Sequence, residues 1–124
     1  MIVNIGCDIL EVSRVQRIYD KFGNKFVSKI LTNAETNLFL KRKHEVYTLA
    51  KFFSMKESVF KVISTNIKRL AFHDVEILHD EYGAPYVKLH RVARQIVPEN
   101  YSIRVTVSDE RMYVVSFAVC EKFI

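Results

Sequence analysis

The chain has 124 residues, 49% of them hydrophobic and 27% charged, a balance that excludes a disordered chain and supports one compact domain rather than two. Lysine and arginine outnumber the acidic residues 19 to 14, and the resulting charge of +5 implies an acidic partner: nucleic acid, anionic lipid, a phosphorylated small molecule or an acidic protein. No apolar run approaches the roughly 20 residues of a membrane span, so no contact with the membrane interior is expected.

The first residues, Met1-Ile2-Val3-Asn4-Ile5, lack a basic segment followed by an apolar one, so no signal peptide is expected. Cys7 and Cys120 belong to no C-x-x-C pair, which leaves a zinc site without support and points to a reduced, cytoplasmic protein. Between Ile2 and Ile9 the residues alternate as in a half-buried strand, with Val3, Ile5, Cys7 and Ile9 on its apolar side and Asn4, Gly6 and Asp8 opposite. Asp8-Ile9-Leu10-Glu11 then reads as a capping box. The helix it opens carries Val12, Val15, Ile18, Tyr19, Phe22 and Phe26 at helical spacing, with Arg14, Arg17, Lys21 and Lys25 on another face.

Thr32-Asn33-Ala34-Glu35 is a second capping box, opening a short helix with Leu38 and Phe39. A stronger helix is expected from about Glu45 to Ile63, with Leu49, Phe52, Phe53, Phe60 and Ile63 as its apolar stripe. At 100° per residue Lys56 falls inside that stripe and must find an anionic partner or snorkel, while Glu57 and Lys61 share a flank. The remainder reads as strands: Ala71–Leu78, then a Tyr82-Gly83-Ala84-Pro85 turn into Tyr86–Leu89. A short helix over His90–Val97 leads to a hairpin of Tyr101–Ser108 and Met112–Cys120 around Asp109-Glu110-Arg111. The expected architecture is one α+β domain spanning the chain, with an N-terminal strand and helices and a C-terminal antiparallel sheet.

Two separated carboxylates carry the chemistry. Asp8 and Glu57, with Lys56 and Lys61 nearby, are the oxygen ligands and positive charges that Mg²⁺ and a phosphate ester require. Taken one at a time they have plainer readings. Asp8 suffices as a helix cap worth about 1 kcal/mol, and Glu57–Lys61 as a surface pair worth about 0.3–0.5 kcal/mol. The basic stripe of the first helix is equally a solvated face. His44, His73, His79 and His90 show no metal spacing.

In order, Gly6-Cys7-Asp8-Ile9 with Glu11 and Arg14, Ile30-Leu31-Thr32 with Glu35, Lys56-Glu57-Ser58 with Lys61, Gly83-Ala84-Pro85-Tyr86 and Val105-Thr106-Val107-Ser108 resemble the holo-acyl-carrier-protein synthases. These are the small 4′-phosphopantetheinyl transferases, and the similarity runs over essentially the whole chain. The resemblance implies transfer of the phosphopantetheine arm of coenzyme A to a serine of apo acyl carrier protein, releasing 3′,5′-ADP, in fatty acid biosynthesis. It implies Mg²⁺ held by Asp8 and Glu57, a catalytic Lys61, and coenzyme A contacts from Lys61, Ser64, Gly83, Pro85 and Ser108. It further implies a homotrimer with active sites between subunits, and docking of the acidic carrier protein on Arg14, Arg17 and Lys21.

The chain departs from the family pattern at three places. Ser64-Thr65-Asn66 stands where glycines are usual, Asp109 where a histidine follows the serine, and Phe52 where an arginine precedes the motif lysine. The group that takes the serine proton is therefore open between a carboxylate and water, and Asp109 and Glu110 are first of all turn residues. Two other readings follow from the same residues: a basic nucleic-acid-binding module, which would lack exposed interleaved aromatics, and a coenzyme A-binding relative with weakened catalysis.

Overall fold

The computed structural model describes residues 1–63 and 70–123. Strand β1 (Ile2–Glu11) leads into helices α1 (Val12–Phe22), α2 (Asn24–Ile30), α3 (Asn33–Lys41) and α4 (Val46–Ile63). After a 3₁₀ turn at Phe72–Asp74 come β2 (Val75–His79), β3 (Pro85–Leu89), α5 (Arg91–Ile96), β4 (Tyr101–Asp109) and β5 (Tyr113–Lys122). β1, β5 and β4 form an antiparallel sheet in that order, β2 and β3 a separate hairpin, and α4 lies against all three strands of the sheet. The expected α+β architecture is the one observed.

The core explains why α4 sits where it does. Leu49, Ala50, Phe52, Met55, Val59 and Phe60 are buried along it and meet Val114, Ala118 and Cys120 from β5. Lys56 lies within this stripe with no exposed surface, and its partner is Glu35, equally buried, with Lys56 Nζ 2.6 Å from Glu35 Oε1. The same ammonium donates to the carbonyls of Ile30 at 2.7 Å and Phe72 at 3.0 Å. Burial pushes it below the usual lysine range while Glu35 pulls it back. Glu35 also completes the Thr32 capping box expected at the start of α3 and accepts the Ile77 amide at 2.7 Å.

Four expectations are corrected. The alternation in β1 is real, but its apolar side faces away from the core: Val3, Ile5 and Ile9 are exposed, Ile9 at 68%, while Gly6 and Leu10 face inward. The near face meets α4 at very short range, and only the side with Gly6 fits there. Because Cys7 pairs with Phe117 and Ile9 with Val115, the outward residues of β1 and β5 form one apolar face on the sheet. Cys7 lies on it, exposed, whereas Cys120 is buried.

Second, β1 runs on to Glu11, because pairing with β5 continues through Leu10–Val114 and Glu11–Tyr113. The helix therefore starts at Val12, and Asp8 stands in mid-strand opposite Ser116, so it caps nothing. Third, the first helix stops at Gly23, whose φ of 55° suits glycine, and a new helix begins at Asn24. Lys25 thus leaves the stripe formed by Arg14, Arg17 and Lys21. The strand expected from Ala71 also starts later, at Val75, since Asp74 closes a turn by accepting the Ala71 amide at 3.0 Å.

Candidate active site

The site is built where β1 crosses α4. Gly6 has no side chain to hold the two apart: a Cβ there would come 2.5 Å from the Ser58 carbonyl oxygen and 2.9 Å from Lys61 Cβ. Asp8, two residues on and on the same face of the strand, is thereby delivered to the flank of α4. Ser54 Oγ donates to Asp8 Oδ2 at 2.8 Å. Lys61 Nζ lies 3.8 Å from Asp8 Oδ1 and donates to the Cys7 carbonyl at 2.6 Å, while Asn4 Nδ2 donates to the Lys61 carbonyl at 3.3 Å. Lys61 is thus paired with Asp8, and the plain surface pair Glu57–Lys61 is not formed.

Glu57 is half-buried in the same place. Desolvation raises its pKa above the ordinary carboxylate range, the Asp8 charge raises it further, and Lys61 and Arg14 pull it down. Two like carboxylates brought this close, with one of them reluctant to ionise, are a donor set that a hard divalent cation would complete. Among the described residues no cluster of three or more acidic, histidine or cysteine side chains gathers. Two carboxylates alone suit Mg²⁺, which keeps its remaining positions for water and substrate phosphates. The residues present fit that ion.

The other expected site residues lie elsewhere. Gly83, at φ 82°, and Pro85 line a cleft of about 220 Å³ together with Arg42, Lys51, Phe52 and His79. The turn is tied by Asp80 Oδ1, which accepts the amides of Tyr82 and Ala84, both at 2.9 Å. Where Phe52 stands in place of an arginine, Arg42 and Lys51 bring positive charge to the same cleft. Burial and then Arg42 push the His79 pKa down. Ser108 is exposed near the end of β4, next to the cleft residue Val107, and Asp109 pairs with Lys51 at 3.1 Å. Ser64 and Asn66 lie outside the described residues. The Gly83 cleft and the carboxylate site share no lining residue, although Met55 of the cleft is next in sequence to Ser54, which donates to Asp8.

Arg14, Arg17 and Lys21 are all exposed on α1. Beside them α1, α2 and α4 enclose an apolar cleft of about 370 Å³ lined by Ile18, Phe22, Phe26 and Phe53, with Lys25 and Lys29 on its wall.

From the sequence alone Ser54 and Ser116 carry no role, and Ser58 has only a place in the Lys56-Glu57-Ser58 motif, yet all three cluster behind Asp8. A signal was available: Ser54 and Ser58 occupy core-facing positions of α4, and Ser116 sits among the inward residues Val114 and Ala118. A buried hydroxyl needs a partner.

The pattern of the 4′-phosphopantetheinyl transferase superfamily matches residues 4–118. The holo-(acyl-carrier-protein) synthase of Vibrio atlanticus is 39% identical over 123 residues, covering 97% of this chain and 98% of that protein. The crystal structure of holo-(acyl-carrier-protein) synthase from Neisseria meningitidis superposes with a TM-score of 0.82 at 32% identity, over 98% of this chain and 100% of the other. The Helicobacter pylori enzyme, solved in complex with coenzyme A, gives 0.83 at 26% identity over 95% of this chain and 100% of the other. Both the aligned sequences and the shared backbone run almost end to end, and the chain belongs to the 4′-phosphopantetheinyl transferase superfamily.

Proposed function

We propose that this protein transfers the 4′-phosphopantetheine group of coenzyme A to a serine of an apo acyl carrier protein, with Mg²⁺ as cofactor. The observation that carries the reading is the convergence of Asp8, Glu57 and Lys61 from β1 and α4 in a chain of this family. Asp8 and Glu57 would hold the ion, whose chemistry when bound is to offset charge on the pyrophosphate. The carrier serine oxygen attacks the phosphorus bearing the pantetheine arm. The bond from that phosphorus to the bridging oxygen breaks, and 3′,5′-ADP departs with the electron pair. Lys61, its ammonium anchored on the Cys7 carbonyl, offers positive charge to the leaving diphosphate. A carboxylate or water takes the serine proton.

Gly83, Pro85 and Ser108 contact coenzyme A in this reading, with Arg42 and Lys51 favouring a phosphate in their cleft. That cleft shares no lining residue with Asp8, Glu57 or Lys61, and an active site completed by a neighbouring copy is part of this reading. The exposed apolar face of Ile5, Ile9, Val115 and Phe117 supports a homotrimer that buries it. Arg14, Arg17 and Lys21 receive the acidic carrier protein. The protein works in the cytoplasm in this reading; among the described residues no helix is long and apolar enough to cross a membrane.

Mass spectrometry of apo carrier protein incubated with this protein, coenzyme A and Mg²⁺ tests the activity. The expected result is a gain of one phosphopantetheine. Absence of any gain with every divalent metal tried overturns the reading.

A further inference from the structure

We infer that Ser54 is a positioning residue for Asp8, held in one orientation by a buried relay of hydroxyls through Ser116 and Ser58. The inference rests on the reading of Asp8 as a metal-holding carboxylate. Ser54 and Ser58 have no exposed surface and Ser116 only 1%, so their protons must find partners within the protein. Ser54 and Ser58 are one helical turn apart on the same face of α4, and Ser116 is the residue of β5 that pairs with Asp8.

Each hydroxyl has one proton to give, and an ionised carboxylate has none. Ser54 Oγ is 2.8 Å from Asp8 Oδ2, so its proton goes to Asp8. Ser116 Oγ lies 2.8 Å from the Ser54 carbonyl and 2.8 Å from Ser54 Oγ, so its one proton is shared between two acceptors on Ser54 and is not given to Ser58. Ser58 Oγ, 2.5 Å from Ser116 Oγ, then donates to Ser116. The relay has one direction and ends on Asp8 Oδ2.

That ending fixes the carboxylate. The terminal torsion of an aspartate is broad and roughly two-fold, and a charge-assisted hydrogen bond to one oxygen selects a single orientation. With Oδ2 claimed from inside, Oδ1 is left towards Lys61. Ser54→Ala leaves the Ser116 proton its carbonyl acceptor, so the partner that the change deprives of a donor is Asp8 Oδ2.

The test is binding of Mn²⁺ alone, read from the electron paramagnetic resonance of the free ion, with no coenzyme A present. Wild type, Ser54→Ala, Asp8→Ala and the double variant are titrated, with the thermal midpoint of each recorded. Loss of a hydrogen-bond partner behind a metal ligand weakens affinity about 10- to 100-fold. Ser54→Ala is expected to bind about tenfold more weakly, Asp8→Ala at least as weakly, and the double variant no worse than Asp8→Ala. Wild-type affinity in Ser54→Ala beside a loss in Asp8→Ala overturns the inference and leaves the metal site standing. Losses that add in the double variant overturn it too, because Ser54 would then act other than through Asp8. No Mn²⁺ binding by the wild type, or full binding by Asp8→Ala, removes the metal reading itself. If Ser54→Ala fails to fold, Ser54→Cys, similar in size and a weak donor, takes its place with the same expected direction of loss.

Discussion

Gly6 and Ser58 touch across the β1–α4 contact so closely that a Cβ on Gly6 would stand 2.5 Å from the Ser58 carbonyl oxygen. The obstacle is backbone, which cannot swing aside. Gly6→Ala is expected to lower unfolding free energy by about 1–3 kcal/mol, read by urea denaturation. Because the strand must back away from α4 and take Asp8 with it, transfer activity should fall well below the folded fraction at the assay temperature. Activity that simply tracks the folded fraction would show that the Gly6 contact serves packing alone.

Removing the Glu57 carboxylate should raise stability and abolish function together. Its folded pKa is raised above the ordinary 4.5, so between that value and the raised one the folded chain binds more protons than the unfolded chain. Stability therefore falls as pH rises through that window and stays at the lower level above it. Glu57→Gln removes the effect. In EDTA the variant should be more resistant to urea than wild type at about pH 8, and the gap should close below about pH 4. Its transfer activity should be lost. Equal stability of the two proteins at the higher pH would contradict the assignment of Glu57 as a carboxylate held against its own desolvation.

The outward face of the sheet predicts the state of assembly. Phe117 is 40% exposed and Ile5 57%, side chains of a size that is usually covered. Light scattering should give wild type three times the 14.5 kDa chain mass, and Phe117→Glu the mass of one chain together with loss of transfer. A wild-type mass of one chain, or a trimeric Phe117→Glu, would separate this face from assembly.

Charge on α1 should govern the carrier protein and leave coenzyme A alone. Reversing Arg17 and Lys21 to glutamate removes two exposed pairs of about 0.2–1 kcal/mol each and introduces repulsion. The KM for carrier protein is expected to rise about tenfold with that for coenzyme A unchanged, and the gap should shrink with added salt. An equal rise for both substrates would place these residues elsewhere in the reaction.

Local signals in the sequence hold where no distant pairing overrides them. The Thr32–Glu35 capping box was legible because both partners lie within four residues and meet in any helix starting there. Asp8 presented the same local pattern, but pairing of β1 with β5 over a hundred residues away carried the strand past it. Alternation in β1 announces two faces without saying which meets the chain's own core. The narrow gap at α4 decides that, and it is set by a helix fifty residues on. The Asp8–Glu57–Lys61 convergence was readable only through the ordered set of motifs, since no spacing rule joins residues so far apart. For Lys56 the stripe position leaves snorkelling and an anionic partner both open, and the structure supplies the partner, Glu35, from another helix.

Lys56 and Glu57 are neighbours in sequence, about 100° apart round the helix, one sealed in the core and the other half-buried beside Asp8. A greasy helix face can roll by tens of degrees and still stay covered. An ammonium gripped by Glu35 and two carbonyl oxygens cannot follow such a roll without abandoning them. The azimuth of α4 is thereby keyed from inside, and the bearing of Glu57 with it. On the proposed reading, the aim of Glu57 at the metal is governed in part by a lysine sealed inside the protein.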